Sequence, residues 1–147
     1  MKRTFLALAL IASGGLAHAD ECDEKIRQIV LETGTQFISR EKGKLVELQH
    51  PLLNDFTLKC SRLGLDVLIR NAFPSAAQLR VLATMGEITT GAPMTEIRSA
   101  LENCHRTALS DTRSKEVFVG GIRIGCIVVR DTPQGDAIFS IYPPLAS

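Results

Sequence analysis

The spacing of apolar residues predicts an amphipathic helix over residues 20–39. Apolar or threonine side chains recur there at steps of three and four, at Ile26, Ile29, Val30, Thr33 and Phe37. This spacing places them on one face, because a helix turns once in about 3.6 residues. Four acidic residues crowd the first turn, where carboxylates stabilise the positive end of the helix dipole.

The three segments that follow alternate apolar and polar residues, as strands with one buried face do. They cover residues 46–50, 56–61 and 65–70. Pro51 ends the first segment, and Gly64 lies in a turn between the last two. Period two in all three segments favours an antiparallel meander.

Two helices are predicted in the middle of the chain. Ser75 and Gln78 come directly after Pro74 and form a capping-box pattern, in which each side chain bonds the backbone N–H of the other residue. The second helix has Thr95 as its candidate cap and continues through Leu109 with an apolar stripe on one side.

The C-terminal third carries the signal of a β-hairpin. Gly120-Gly121 separates two apolar runs, and glycine readily adopts the positive φ that a two-residue turn needs. Such a turn pairs Val119 with Ile122 and Val117 with Ile124. In this register six residues share one face: Val117, Val119, Ile122, Ile124, Cys126 and Val128. A final strand is predicted over residues 137–142.

The order of these elements predicts an α+β fold. An N-terminal helix is followed by a mostly antiparallel sheet of about five to six short strands, with two central helices packed on it. The chain shows no internal repeat, linker or low-complexity tract. Residues 20–147 are therefore expected to form a single domain.

The first nineteen residues have the layout of a cleaved secretory signal peptide. Lys2 and Arg3 are followed by an apolar stretch over residues 5–16, which is too short to span a bilayer permanently. Small residues then flank His18 in Ala17-His18-Ala19, the pattern that a signal peptidase recognises. Cleavage is predicted between Ala19 and Asp20, and the mature chain is expected in the periplasm or outside the cell.

The mature chain carries no signal for membrane tethering or for nucleic-acid binding. Glu21 precedes Cys22, where a lipidation signal requires a small residue, so no stable membrane anchor is expected after processing. Removal of the signal leaves 15 basic against 16 acidic residues, a net charge of −1. Nucleic acid attracts a concentrated basic face, and the sequence has no run of like charge. We therefore expect no nucleic-acid partner.

All four cysteines lie after the signal, and an even number in an exported chain indicates two disulfides. No C-x-x-C spacing is present, so a redox centre or a zinc knuckle lacks its local motif. Cys60 and Cys104 are in phase with the inner faces of their predicted elements, which predicts the pairing Cys60–Cys104 and Cys22–Cys126. The alternative, Cys22–Cys60 with Cys104–Cys126, joins sequence neighbours and stays open.

No catalytic, metal or cofactor site is predicted. The mature chain has only two histidines, His50 and His105, and neither lies in a spacing typical of zinc ligands. A Cys/His nucleophilic pair is disfavoured, because Cys104 and His105 are helix neighbours that point about 100° apart. Serine, phosphate-loop and dinucleotide motifs are also absent from the sequence.

The hairpin is apolar on both of its faces. Opposite Cys126 the sequence places a second apolar set, which includes the last strand if it pairs with its neighbour: Phe118, Ile127, Val129, Phe139 and Ile141. Another part of the chain can cover this face. Alternatively, the face is an exposed surface that binds a partner protein or a lipid-like ligand.

These observations favour a small exported binding protein over an enzyme. The expected partner is another periplasmic or envelope protein, as for an inhibitor, an immunity-type protector or an accessory subunit. Two alternatives stay open. One is a periplasmic hydrolase whose site combines distant acidic residues with His50 or His105, and the other is a carrier of a small apolar ligand.

Overall fold

The computed structural model describes residues 16–42, 44–111 and 113–145. The helices are α1 (Leu16–Thr33), α2 (Ala76–Thr90) and α3 (Met94–Ser110). The strands are β1 (Gln36–Glu41), β2 (Leu45–His50), β3 (Asn54–Lys59), β4 (Gly64–Ile69), β5 (Lys115–Val119), β6 (Ile122–Val129) and β7 (Asp136–Tyr142). None of the helices in these residues is long and apolar enough to cross a membrane.

The strands form one antiparallel sheet in the order β1-β2-β3-β4-β7-β6-β5. The predicted α+β class is confirmed, with seven strands among the described residues in place of the five to six expected. The sheet has two faces that differ in their covering. We call the face that carries Cys126 and Phe139 the inner face, and the opposite one the outer face.

The helices pack on the inner face and enclose the hydrophobic core with it. Alternate residues of the central strands are buried there, among them Leu65, Ile124 and Phe139. Gly86 of α2 lies against Ile141 of β7 and Ile97 of α3, and a Cβ at Gly86 would come within 3.1 Å of both side chains. The small residue therefore allows the two central helices to approach the sheet closely.

The first helix is shorter at its C-terminal end than predicted. It ends at Thr33, because Gly34 adopts a φ of 73° and its N–H bonds the Val30 carbonyl, a common helix ending. Residues 36–41 form β1 in place of the predicted last helical turn. Phe37, assigned to the buried helix face, is half exposed on this edge strand.

The start of α1 lies close to the predicted cleavage point. The helix begins at Leu16, so cleavage before Asp20 would remove its first four residues. Residues 1–15, which hold most of the predicted signal, lie outside the described part of the chain.

Local signals in the middle of the chain correctly predicted one helix start and misplaced the other. The Ser75 hydroxyl accepts from the Gln78 N–H, and the Gln78 side chain accepts from the Ser75 N–H, which confirms the capping box. The second helix begins at Met94 after Pro93, with no side-chain cap, so the assignment of Thr95 as its cap is wrong.

The hairpin register is confirmed, but the face assigned to the last strand is not. Val119 pairs with Ile122 and Val117 with Ile124, as the two-residue turn predicts. On β7, however, Phe139 lies opposite Cys126 and Ile141 opposite Ile124, so both belong to the inner face and are fully buried. The outward residues of β7 are Asp136, Ile138, Ser140 and Tyr142.

The two disulfides expected from the cysteine count are present, but with the alternative pairing. Cys22 is bonded to Cys60 and Cys104 to Cys126, with Cα atoms 5.3 Å and 6.1 Å apart. The predicted pairing is wrong, because α3 packs on β5 and β6 and so brings Cys104 to Cys126. Cys60 follows β3, where Cys22 of α1 reaches it.

Candidate binding site

The outer face of the sheet presents a row of large side chains at one end of the strands. Phe118, Arg123 and Tyr142 lie side by side on β5, β6 and β7. Lys59 of β3 is paired with Gly64 of β4, which lies beneath the Tyr142 ring. Within the described residues the helices lie on the inner face, so these side chains face outward from the sheet.

Phe118 is the most prominent member of this row. Two-thirds of its surface (67 %) is exposed, and it lines two depressions. One, of about 790 Å³, extends over Tyr142, Arg123, Pro144 and Leu145. The other, of about 630 Å³, lies between β5 and α3. An exposed aromatic ring between two concave surfaces has the form of a binding anchor.

Tyr142 is contacted by residues of three other strands, β3, β4 and β6. A Cβ at Gly64 would lie 2.2 Å from the Tyr142 ring, so only glycine allows the ring to lie flat on β4. The Arg123 guanidinium carbon lies 5.2 Å from the ring centroid and Lys59 Nζ lies 5.5 Å from it. The Arg123 contact is a cation–π interaction, whereas the Lys59 ammonium lies 2.8 Å from the Tyr142 hydroxyl and therefore at the edge of the ring.

The phenol of Tyr142 joins a closed polar network. Lys59 Nζ donates to the Tyr142 hydroxyl at 2.8 Å, the hydroxyl donates to Asp66 Oδ2 at 2.8 Å, and Lys59 Nζ lies 2.6 Å from Asp66 Oδ2. Burial raises the pKa of Tyr142, the bond to Lys59 opposes that shift and the bond to Asp66 adds to it. Asp66, and then Tyr142, raise the pKa of Lys59. The network therefore stabilises neutral Tyr142 and charged Lys59.

Gly64→Ala is expected to displace the Tyr142 ring, because the new methyl group would overlap it. The ring would become exposed, and the pKa of its phenol would fall toward the usual value, since burial is the largest cause of its elevation. Tyr142 is the only tyrosine in the chain and there is no tryptophan. Alkaline titration of the ultraviolet absorbance therefore reports this one group.

The matched control is the same substitution in a Tyr142→Ala background, where the overlapping ring is absent. Gly64→Ala is expected to lower the melting temperature of the wild-type chain and to have much less effect on the variant without the ring. Equal destabilisation in both backgrounds would contradict the proposed close contact.

The structure divides the predicted apolar face between the two sides of the sheet. Phe118, Ile127 and Val129 lie on the outer face, the last two half-buried, whereas Phe139 and Ile141 are core residues. In place of the latter pair, Ile138 lies beside Ile127. The outer face therefore has an apolar centre, and its most exposed ring is at the β5 edge.

His50 and His105 both bond backbone carbonyls. His50 is buried, its Nδ1 accepts from the Leu52 N–H, and its Nε2 donates to the Thr33 carbonyl at 2.9 Å. His105 Nε2 lies 2.7 Å from the Ala72 carbonyl. The described residues contain no group of three histidine, cysteine or acidic side chains that could hold a metal ion. The imidazoles thus secure chain segments to one another.

Sequence reasoning did not find the network around Tyr142. Its three members are 7 to 83 positions apart, and no local motif joins them. The pairing of β4 with β7 brings the three side chains together, because it places Asp66 opposite Ser140, next to Tyr142 on the outer face. That pairing is non-local and could not be read from periodicity.

Known proteins give no further indication of what the Phe118 row does. Comparison with protein families, with curated proteins and with solved structures finds no match.

Proposed function

We propose that this chain is an exported binding protein that holds a partner protein at the Phe118 end of the outer face. The observation that carries this proposal is the 67 % exposure of Phe118 between two depressions. Burial of an exposed aromatic ring by a partner lowers the free energy of the complex, and such rings contribute much of the binding energy of protein interfaces.

The rigidity of the surroundings supports the same proposal. The Tyr142 ring packs against Gly64, and its hydroxyl is bonded to Lys59 and Asp66. Arg123 is ordered by its cation–π contact with the same ring. The Cys104–Cys126 disulfide joins α3 to β6, the strand that pairs with β5. These side chains would therefore lose little conformational entropy when a partner binds.

Export is the second part of the proposal, and two features support it. The first nineteen residues read as a signal peptide, and both disulfides are typical of an oxidising compartment. We expect intact-mass measurement of the protein from the periplasm to give a chain that starts at Asp20. A chain that retains residues 1–19, or a lipid on Cys22, would contradict the processing part of the proposal.

Phe118→Asp is expected to abolish capture of the partner while leaving the free energy of unfolding within about 0.5 kcal/mol of wild type, because the side chain is exposed. The purified protein is immobilised, periplasmic extract is passed over it, and the bound proteins are compared between variants. The matched control is Phe73→Asp, since Phe73 is 65 % exposed and lies elsewhere, before α2. The control is expected to retain the captured protein.

Two outcomes would contradict the site. If Phe118→Asp retains the same captured protein as Phe73→Asp, the partner binds elsewhere. If no protein is captured but an apolar dye binds the wild type and not Phe118→Asp, the depression beside Tyr142 holds a small apolar ligand and the chain is a carrier. The fluorescence of Tyr142 reports occupancy of that depression without a label.

A further inference from the structure

In the part of the chain that the structure describes, the sheet ends at β5, whose outer side is an open edge. Among the described residues β5 pairs with β6 alone. The pair that closes the two-residue hairpin turn, Val119 with Ile122, exchanges its hydrogen bonds across the hairpin. Because such pairs alternate along an antiparallel ladder, Glu116 and Phe118 direct their N–H and C=O groups toward the open edge. An extended polypeptide is the ligand that satisfies them.

A groove runs along this edge between β5 and α3. Its volume is about 630 Å³, and its walls are Val117, Phe118 and Val119 on one side and Ser99, Ala100 and Asn103 on the other. Ser99 and Ala100 are short and leave room for a chain beside the strand, and Glu102, which also lines the helical wall, is paired with Arg98 at 2.9 Å. The Cys104–Cys126 disulfide fixes the distance between α3 and the hairpin.

Charges of opposite sign mark the two ends of the groove. Glu96 lies at the first turn of α3 and Arg106 ten residues later, and both line the groove or its end. Both are exposed, and neither forms an ion pair among the described residues. Ten helical residues span about 15 Å, which corresponds to about four to five residues of a strand.

We propose that this groove binds an extended segment of a partner protein as an eighth strand, antiparallel to β5. The segment carries a basic residue that pairs with Glu96 and, four residues later, an acidic residue that pairs with Arg106. For an antiparallel strand the charge order follows from the topology: α3 and β5 run in opposite senses, so the Val119 end of β5 lies toward Glu96 and the added strand begins there. The spacing of four keeps both charged side chains on one side of the added strand.

This proposal rests on the proposed function and gives it a binding mode. Strand addition obtains affinity from backbone hydrogen bonds and specificity from alternate side chains. Phe118 would anchor the edge of the same interface on the outer face. An apolar surface alone would not select peptides with a fixed order of charges. The experiment therefore measures this order.

The test selects peptides from a random library on phage, using the full oxidised protein as the target. Peptides selected on wild type are expected to carry a lysine or arginine followed four positions later by an acidic residue. On the double variant Glu96→Lys/Arg106→Glu the order is expected to reverse. The control double variant Glu32→Lys/Arg80→Glu exchanges exposed charges on α1 and α2, and the wild-type order is expected to persist.

Backbone methylation of one selected peptide then tests the strand pairing itself. N-methyl groups at every second residue are expected to weaken binding about tenfold or more, because each removes a hydrogen bond and leaves an edge carbonyl unpaired. Methyl groups at the intervening residues are expected to change affinity less than about threefold. Far-UV circular dichroism of the protein variants confirms that each is folded.

The outcomes separate this inference from the proposed function. Peptides that lose binding to Phe118→Asp but show neither the charge order nor the period of two would overturn strand addition and leave the Phe118 surface in place. Peptides that bind equally well to all variants, or no enrichment at all, would overturn the groove. The function itself is then judged by the capture experiment with Phe118→Asp and Phe73→Asp.

Discussion

Phe139→Ala is expected to lower the free energy of unfolding by about 3–5 kcal/mol. Phe139 is fully buried on β7, where its neighbours are Cys126 of β6 and Val67 of β4. Its removal would leave a cavity at the centre of the sheet, and the lining cannot collapse easily because both neighbouring strands are tied into the ladder. Urea denaturation of the oxidised protein measures the loss.

Phe118→Ala provides the matched control, since it removes the same ring from the opposite face. Because Phe118 is mostly exposed, its free energy of unfolding is expected to stay within about 0.5 kcal/mol of wild type. Similar losses for the two phenylalanines would mean that the faces of β5 and β7 are assigned wrongly.

Cys22→Ala/Cys60→Ala is expected to lower the free energy of unfolding by about 4 kcal/mol in the chain-entropy model. The bond closes a loop with a sequence separation of 38 residues and holds the start of α1 against the end of β3. Without the bond the unfolded chain gains conformational freedom, and α1 loses its covalent tie to the sheet. Thermal and urea denaturation of the two proteins measure the difference.

Cys104→Ala/Cys126→Ala is the comparison variant, with a separation of 22 residues and an expected loss of about 3 kcal/mol. Non-reducing peptide mapping of the wild type checks the pairing on which both values depend. A Cys60–Cys104 peptide would contradict the structure, and an unchanged stability after loss of either bond would contradict the entropy argument.

The features that were predictable from the sequence depend on neighbours along the chain. The Gly120-Gly121 turn sets the register of β5 and β6, and the Ser75–Gln78 box sets the start of α2, because both involve residues within a few positions of each other. Each interaction has a residue pattern that only one local geometry satisfies.

The features that were missed depend on which elements meet in space. Pairing of the cysteines follows from the packing of α3 on β5 and β6, which periodicity does not encode. The end of α1 was misjudged because Phe37 continues the helical spacing past Gly34, whereas the glycine ends the helix. The face of β7 was available in the sequence, since polar Ser140 lies between Phe139 and Ile141.

The candidate site follows the same division. Phe118 was selected from the sequence because it alternates with the inner residues of the hairpin. Tyr142, Lys59 and Asp66 meet only when β4 pairs with β7, which joins the two halves of the chain. The face of the hairpin on which Phe118 lies was therefore predictable, whereas its exposure was left open and the residues around Tyr142 were not found.

The strand order has a consequence for how the sheet is assembled. Strands β1 to β4 come from the first half of the chain and β5 to β7 from the last third, and the two sets meet only at β4 and β7. Each disulfide lies within one set or its adjoining helix, so neither crosses this seam. Closing the seam brings together residues as distant as Leu65 and Ile141, at a large loop-closure cost. We therefore expect each cross-linked set of strands to form before the two sets pair, and we expect the pairing of β4 with β7, which brings Tyr142 onto Gly64, to be the slow step of folding.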